Sequence, residues 1–213
     1  MEFDLLIQVA LISITVFMFL WMQNIPQNLF DKIRYRDRTS YAAKRHFVLG
    51  AELLAKSRST RDRTAAVKLA KSAAEQADES ISLNPKDAAP HILKALALDS
   101  QGFTTSALDA LDVALSPLAV KSLSDGEKGD ALYKRAEIKV KASSKGDGVE
   151  SAVADLVESV RLKAENAAAL RLLGECYEKK EMKEEAVKAY MDAAKLEPES
   201  KLAQEALARL GST

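Results

Sequence analysis

The residue types that carry most catalytic and metal chemistry are thin in this sequence. Of 213 residues, two are histidines, His46 and His91, and one is a cysteine, Cys176. The histidines stand far apart, and neither has a cysteine or a second histidine at ligand spacing, so no metal site is expected. Cys176 has no histidine near it in sequence, which points to a small buried thiol rather than an activated nucleophile. A lone cysteine also excludes an intramolecular disulfide. Glu181, Glu184 and Glu185 flank lysines at a predicted helix start, where negative charge suits the helix dipole; they read as a solvated helix end, not an acid–base pair. The sequence holds no G-x-x-x-x-G-K-[ST], no G-x-G-x-x-G and no G-x-S-x-G, so a phosphate cradle and a nucleophile elbow lack support. No cofactor is expected, and the chain reads as a non-enzyme.

Charge is balanced overall but unevenly placed. No Lys or Arg precedes Lys32. Between Asp31 and Arg63 stand ten basic residues (Lys32, Arg34, Arg36, Arg38, Lys44, Arg45, Lys56, Arg58, Arg61, Arg63) against four acidic ones (Asp31, Asp37, Glu52, Asp62), and the remainder is mildly acidic. Phe30, Tyr35, Tyr41 and Phe47 interleave the basic stretch, a pattern that could stack on bases. No basic face persists along the rest of the chain, however, so nucleic acid is not an expected partner.

Leu5–Met22 is eighteen residues without a charge. At about 1.5 Å per residue, a helix of ~20 residues crosses the ~30 Å hydrocarbon core. A cleaved secretory signal would need a basic start and a small-residue cleavage site, whereas the chain opens Met-Glu-Phe-Asp and no such site follows. Residues 1–24 are therefore expected to be a transmembrane anchor, with Trp21 at the headgroups. Glu2 and Asp4 precede the span, and Lys32, Arg34, Arg36 and Arg38 follow it. The basic side is normally cytoplasmic, which would place the remainder of this single-pass protein in the cytosol, on an endomembrane or an organelle's outer membrane. Residues 25–40 read as a basic juxtamembrane linker and 41–213 as a helical domain, rich in Ala and Leu.

The helical domain repeats. Ala73 and Ala107 are 34 residues apart, as are Ala152 and Ala186, with a gap of 45 between the two couples. Four residues after each stand Ala77, Leu111, Leu156 and Tyr190; seven after, Ser80, Ala114, Ser159 and Ala193. Leu83, Pro117, Leu162 and Leu196 come ten after, and Pro85, Ala119, Ala164 and Pro198 twelve after. The best-formed unit is Leu170-x-x-Leu173-Gly174-x-x-Tyr177 followed by Ala186, Tyr190, Ala193 and Pro198. Gly174 would let two helices approach closely, Ala186 and Ala193 are small where helices cross, Tyr190 would fill the space between pairs, and Pro198 would stop the second helix.

This pattern resembles the tetratricopeptide repeat, a 34-residue unit of two antiparallel helices. The resemblance implies an all-α fold: a right-handed α-solenoid of about four helix pairs with a C-terminal capping helix, preceded by one transmembrane helix. The expected helices are Tyr41 to about Ala55 and Asp62–Leu83; His91–Ser100 and Ser106–Leu115; Asp130 to about Lys141 and Val149–Lys163; Ala168–Lys179 and Lys183–Leu196. Lys201–Leu210 would cover the last pair. Gly50, Ala95 and Ala136 take the place of Gly174 in the other first helices. Extra residues fall at 57–63, at 116–128 and in the turn 143–148.

In tetratricopeptide proteins the first helices line a concave groove that takes a peptide. By position, the resemblance assigns to this groove Phe47 with Ala51, Ile92 with Leu96, Tyr133 with Glu137, and Arg171 with Glu175. The members of each couple are four apart and share a helix face. One subfamily grips the terminal carboxylate of heat-shock chaperones with Lys, Asn and Arg on these faces. Here only Arg171 matches, so clamp-type binding of chaperone tails is disfavoured. The expected function is a membrane-tethered adaptor or scaffold that binds other proteins or peptides; the alternative is a constitutive structural or assembly subunit of a membrane protein complex.

Overall fold

The computed structural model describes residues 25–142 and 148–211. Among them every regular element is helical. The chain runs α1 (Ile25–Ser59), α2 (Arg63–Leu83), α3 (Ala88–Gln101), α4 (Thr104–Ala114), a 3-10 turn (Val120–Ser122), α5 (Asp125–Ala142), α6 (Val149–Leu162), α7 (Ala167–Lys179), α8 (Lys183–Leu196) and α9 (Lys201–Gly211). Each helix packs on the next, and α1 with α2, α3 with α4, α5 with α6 and α7 with α8 make four pairs closed by α9. This is the solenoid of helix pairs that the repeat pattern predicts.

Helix starts and stops follow local chemistry. Asp62, Asp87 and Asn166 accept backbone N–H bonds from Thr64, Ala89 and Ala169 at 2.9, 3.1 and 3.0 Å, satisfying donors that a first turn leaves open. Ser124 and Glu127 form a reciprocal capping box, the Ser124 N–H donating to Glu127 at 2.8 Å. This box starts α5 five residues ahead of the expected Asp130. Helices α2 and α8 stop just short of Pro85 and Pro198. Helix α3 ends in a left-handed residue, Gly102 at φ 89°, with Phe103 N–H bonded back to the Leu98 carbonyl. Helix α7 ends the same way at Glu181, φ 60°, with Met182 N–H on the Tyr177 carbonyl.

The pairs close on small side chains. On the first helices Ala43 and Gly50, Ala88 and Ala95, Gly129 and Ala136, and Ala167 and Gly174 are each seven apart, and all are buried. On the second helices Ala73 and Ser80, Ala107 and Ala114, Ala152 and Ser159, and Ala186 and Ala193 have the same spacing and burial. Seven residues is about two turns, so each helix offers two small contacts on one face. Ser80 and Ser159 donate their hydroxyls across the pair, to the Ala43 carbonyl at 2.8 Å and the Gly129 carbonyl at 2.7 Å. A buried hydroxyl without such an acceptor would cost free energy.

Three expectations need adjustment. The stretch read as a linker, 25–40, is helical and continuous with α1, whose first helix was expected only from Tyr41. Pro26 lies in its first turn, where a missing N–H removes no helical bond. The extra residues near 57–63 do not form a long loop: α1 runs to Ser59 and α2 starts at Arg63, so the insertion lengthens helices instead. The insertion at 116–128 holds the 3-10 turn and the first turn of α5. No helix among the described residues is long and apolar enough to cross a membrane; the stretch expected to do so, Leu5–Met22, lies outside them, as does most of the 143–148 turn.

The junction after that insertion, between α4 and α5, is the thinnest between consecutive helices of the stack. A charge network spans it. Arg135 on α5 holds Asp155 on α6 through two bonds, Nε to Oδ2 at 2.9 Å and Nη2 to Oδ1 at 2.5 Å, and reaches Asp112 on α4 at 2.7 Å. Lys139 adds a third bond to the buried Asp155 at 2.7 Å.

Candidate protein-binding groove

The groove residues expected from sequence sit on α1, α3, α5 and α7, the first helices of successive pairs. All seven (Phe47, Ile92, Leu96, Tyr133, Glu137, Arg171 and Glu175) are half-buried, as is Ala51. Each shows part of its side chain and uses the rest to pack. Because the small residues at 50, 95, 136 and 174 point into the helix pairs, positions three before and one after them fall together on a neighbouring stripe.

The stripe divides into two halves of different chemistry. In the first, Phe47, Ala51 and Leu96 pack against one cluster made by Leu54, Ala73, Ala74, Ala77, Leu93 and Ala97. Ile92 instead packs toward α4 and the 3-10 segment, against Ala107 and Leu111 on one side and Ala114 and Ala119 on the other. It is half-buried and touches two clusters rather than one.

In the second half the structure brings Tyr133, Glu137, Arg171 and Glu175 together. Burial, and then the negative charge of Glu137, push the Tyr133 hydroxyl above its ordinary pKa, with Arg171 opposing and Glu175 reinforcing the shift. Burial would raise the Glu137 carboxyl, but Lys134 at 2.8 Å and Lys141 at 3.4 Å outweigh it and hold the group below the usual range. Arg171 is bonded to Glu175 at 2.6 Å, one turn along its own helix. The one basic residue that could have joined a carboxylate clamp is thus already matched. The Lys134 ammonium lies 5.2 Å from the Tyr133 ring centroid, within cation–π range.

Tyr133 and Lys134 also border a cleft of about 310 Å³ beside the α6–α7 turn. Its other lining includes Asp130, Lys163, Asn166 and Ala167, and Lys163 bridges it by bonding Asp130 at 2.7 Å. No sequence signal marks this cleft, since Asp130 and Lys163 are distant in the chain and carry no motif.

The residues considered for chemistry are placed as ordinary packing or surface groups. His46 bonds the Gln76 side chain at 2.8 Å, and His91 bonds the Pro85 carbonyl at 3.2 Å. Cys176 is buried in the core between α6 and α7, where burial pushes its thiol pKa up, away from the reactive thiolate. Among the described residues no group of side chains could hold a metal ion.

No protein-family model matches the chain, and no curated protein matches it significantly. Solved structures do. The chain is similar to MamA 41-end from Desulfovibrio magneticus RS-1, at 20% identity over 80% of this chain and 84% of that one, with a TM-score of 0.63. It is similar to PilF of Pseudomonas aeruginosa, at 16% identity over 82% of this chain and 68% of that one, with a TM-score of 0.63. It also matches a chain of the APC/C hetero-tetramer Cut9–Hcn1, at 16% identity over 70% of this chain but 28% of that one, with a TM-score of 0.58. At these identities the likeness speaks for the fold alone. Four pairs closing on small residues, a capping helix and these neighbours together show a tetratricopeptide-type fold.

Proposed function

We propose that this protein is a non-catalytic adaptor whose groove, formed by α1, α3, α5 and α7, binds a polypeptide partner. The observation that carries the reading is the row of half-buried Phe47, Leu96 and Tyr133 on successive first helices. Apolar side chains left partly in water on one stripe of consecutive first helices, at the positions three before and one after the small residue, gain free energy when a ligand covers them. An amphipathic helix laid along the row, with apolar residues toward Phe47 and Leu96 and polar ones toward Glu137 and Arg171, fits this division. A chain of like fold in a hetero-tetramer with Hcn1 shows that such stacks occur in protein assemblies.

In this reading Leu5–Met22 tethers the protein to a membrane and the basic residues after it keep the solenoid in the cytosol. Length, absence of charge and the charge asymmetry of the flanks support that placement. Protease added to sealed organelles should digest the solenoid; a protected solenoid overturns the topology.

The groove is tested by isolating the tagged full chain from solubilised membranes and comparing what accompanies it with two variants, Leu96→Asp and Tyr133→Ala. Recovery of a partner with the unaltered chain, and its loss with both variants at unchanged helicity, supports the groove. A partner retained by both variants in fixed stoichiometry supports the alternative of a constitutive subunit held through other surfaces.

A further inference from the structure

The four repeats show what ought to cover the first helix of each pair. In α7, Ala169, Leu172, Leu173 and Cys176 are all buried, and Leu172, Leu173 and Cys176 share a cluster with Ala152 and Leu156 of α6. The matching residues of α3 (Pro90, Leu93, Lys94, Ala97), of α5 (Ala131, Lys134, Arg135, Ile138) and of α9 (Ala203, Ala206, Leu207, Leu210) are buried or half-buried. In every case the covering element is the second helix of the preceding pair. Leu93 packs on Ala73 and Ala77 of α2, Ile138 on Ala107 and Leu111 of α4, and Ala203 and Ala206 on Ala193 and Ala186 of α8.

In α1 the matching residues are Arg45, Val48, Leu49 and Glu52, and all four are exposed. Val48 keeps 50% and Leu49 40% of its surface in water, and Tyr41, one turn before Arg45, keeps 74%. Neither Arg45 nor Glu52 has an ion-pair partner among the described residues. The far end of the stack differs: α9 turns Ala203 and Ala206 inward, and its exposed side chains are Lys201, Gln204, Glu205 and Arg209 together with Leu202 and Ala208. Among the described residues, only α1 leaves exposed the four matched positions that the preceding second helix covers in the other repeats.

We infer that this face is covered by α1 of a second copy of the chain, packed antiparallel. The spacing of the four residues is self-complementary. With the two-fold axis midway between residues 48 and 49, Val48 falls opposite Leu49 of the second copy, and Arg45 falls opposite its Glu52. Both matches occur twice by symmetry. Tyr41 falls opposite Lys56 of the second copy, a cation against an aromatic ring. The result is an apolar centre flanked by opposite charges. Antiparallel is also the direction of the covering helix in the stack, because consecutive helices joined by short turns reverse direction. Parallel packing would set Arg45 on Arg45 and Glu52 on Glu52, where like charges repel. The chain's own Leu5–Met22 carries no charge and would leave Arg45 and Glu52 unmatched.

Cross-linking of the full chain in detergent tests the pairing, because the native Cys176 is buried. Arg45→Cys and Glu52→Cys chains, mixed and mildly oxidised, should give a mixed disulfide dimer well above the self-pairs of either alone. Val67→Cys, exposed on α2, measures random collision. Self-pairs of Arg45→Cys as abundant as the mixed species, or a yield no greater than that of Val67→Cys, overturn the inference; the latter is the result if the chains associate only through Leu5–Met22. In sedimentation, Arg45→Glu should weaken self-association about tenfold or more, as expected for juxtaposed like charges. Combining it with Glu52→Arg should restore the association. A double variant no better than the single one also overturns the pairing.

Discussion

Gly174 and Tyr190 meet with no room for a methyl group between them: a Cβ on residue 174 would lie 2.8 Å from both Cε1 and Cζ of the tyrosine ring. The ring has nowhere to go. Tyr190 is 1% exposed, and its hydroxyl donates to Glu178 at 2.6 Å. Alanine at 174 gains about 1 kcal/mol of helix propensity but overpacks a rigid contact, at about 1–3 kcal/mol. Gly174→Ala should therefore lower stability by up to about 2 kcal/mol and Gly174→Leu by more. Thermal unfolding followed by circular dichroism checks this, and an unchanged melting point for Gly174→Leu would refute the close approach.

The same tyrosine gives the fold an alkaline limit. Burial, and then the bond to Glu178, push the Tyr190 hydroxyl well above its ordinary pKa. A folded state that holds its proton more tightly than the unfolded chain is stabilised in full below about pH 10, the unfolded value. That stabilisation is lost as pH rises past 10 toward the folded value. Tyr190→Phe should cost about 1 kcal/mol at neutral pH and flatten the fall in stability above pH 10. Glu178 keeps Arg209 as a partner, at 2.7 and 2.8 Å, so the variant should still fold.

Gly102 and Glu181 occupy the same left-handed position at the ends of α3 and α7. A side chain there costs roughly 1–2 kcal/mol of steric strain that glycine avoids. Gly102→Ala should destabilise by about 1 kcal/mol even though open space surrounds the site. Glu181→Gly should be neutral or stabilise by up to about 1 kcal/mol. Chemical denaturation midpoints measure both, and a loss of stability in Glu181→Gly would contradict the strain.

Asp155 is buried and bonded to both Arg135 and Lys139. Removing it leaves Lys139 without its carboxylate and Arg135 with only the exposed Asp112, so Asp155→Ala should cost about 2–4 kcal/mol. The cost stays below that of a fully buried pair because each cation's side chain is about a fifth exposed. Asp112 is 62% exposed, and Asp112→Asn should cost under about 1 kcal/mol. Equal losses in urea melts of the two variants would show that the network is not organised around Asp155.

The acidic carboxyl-terminal tail of a heat-shock chaperone should not bind the groove. Arg171 is matched by Glu175 at 2.6 Å, and Glu137 stands nearby. Calorimetry should detect no heat of binding; micromolar affinity abolished by Arg171→Ala would revive a clamp.

The pairs were legible because crossing helices restrict residue size. Ala73 and Ala107, Ala152 and Ala186, and Gly174 with Tyr190 recur at fixed spacing for that reason, and the helices follow from them. The early start of α1 was not legible: Pro26 reads as a breaker unless it lies in a first turn, and sequence does not say which turn is first. Gly129 stands just before the expected helix start at Asp130, although a Cβ there would stand 3.1 Å from Lys163. For the groove, position within the repeat located the half-buried stripe, but the commitment of Arg171 to Glu175 and the packing of Ile92 toward α4 depend on side-chain directions that spacing does not carry. The Arg135 network was invisible because its members lie on three helices, and charged residues on helices are usually solvated.

The thin α4–α5 junction has a mechanical consequence. Stiff blocks joined in series deform where the joint is softest, and here the joint falls between Leu96 and Tyr133, near the midpoint of the proposed binding surface. Tension or torsion on the ends would change the curvature of the spring at that seam and leave each block's lining intact. Arg135, reaching across to an exposed Asp112, acts there as an ionic clasp whose grip weakens as ionic strength rises. The spacing between the apolar and charged halves therefore rests on one thin seam.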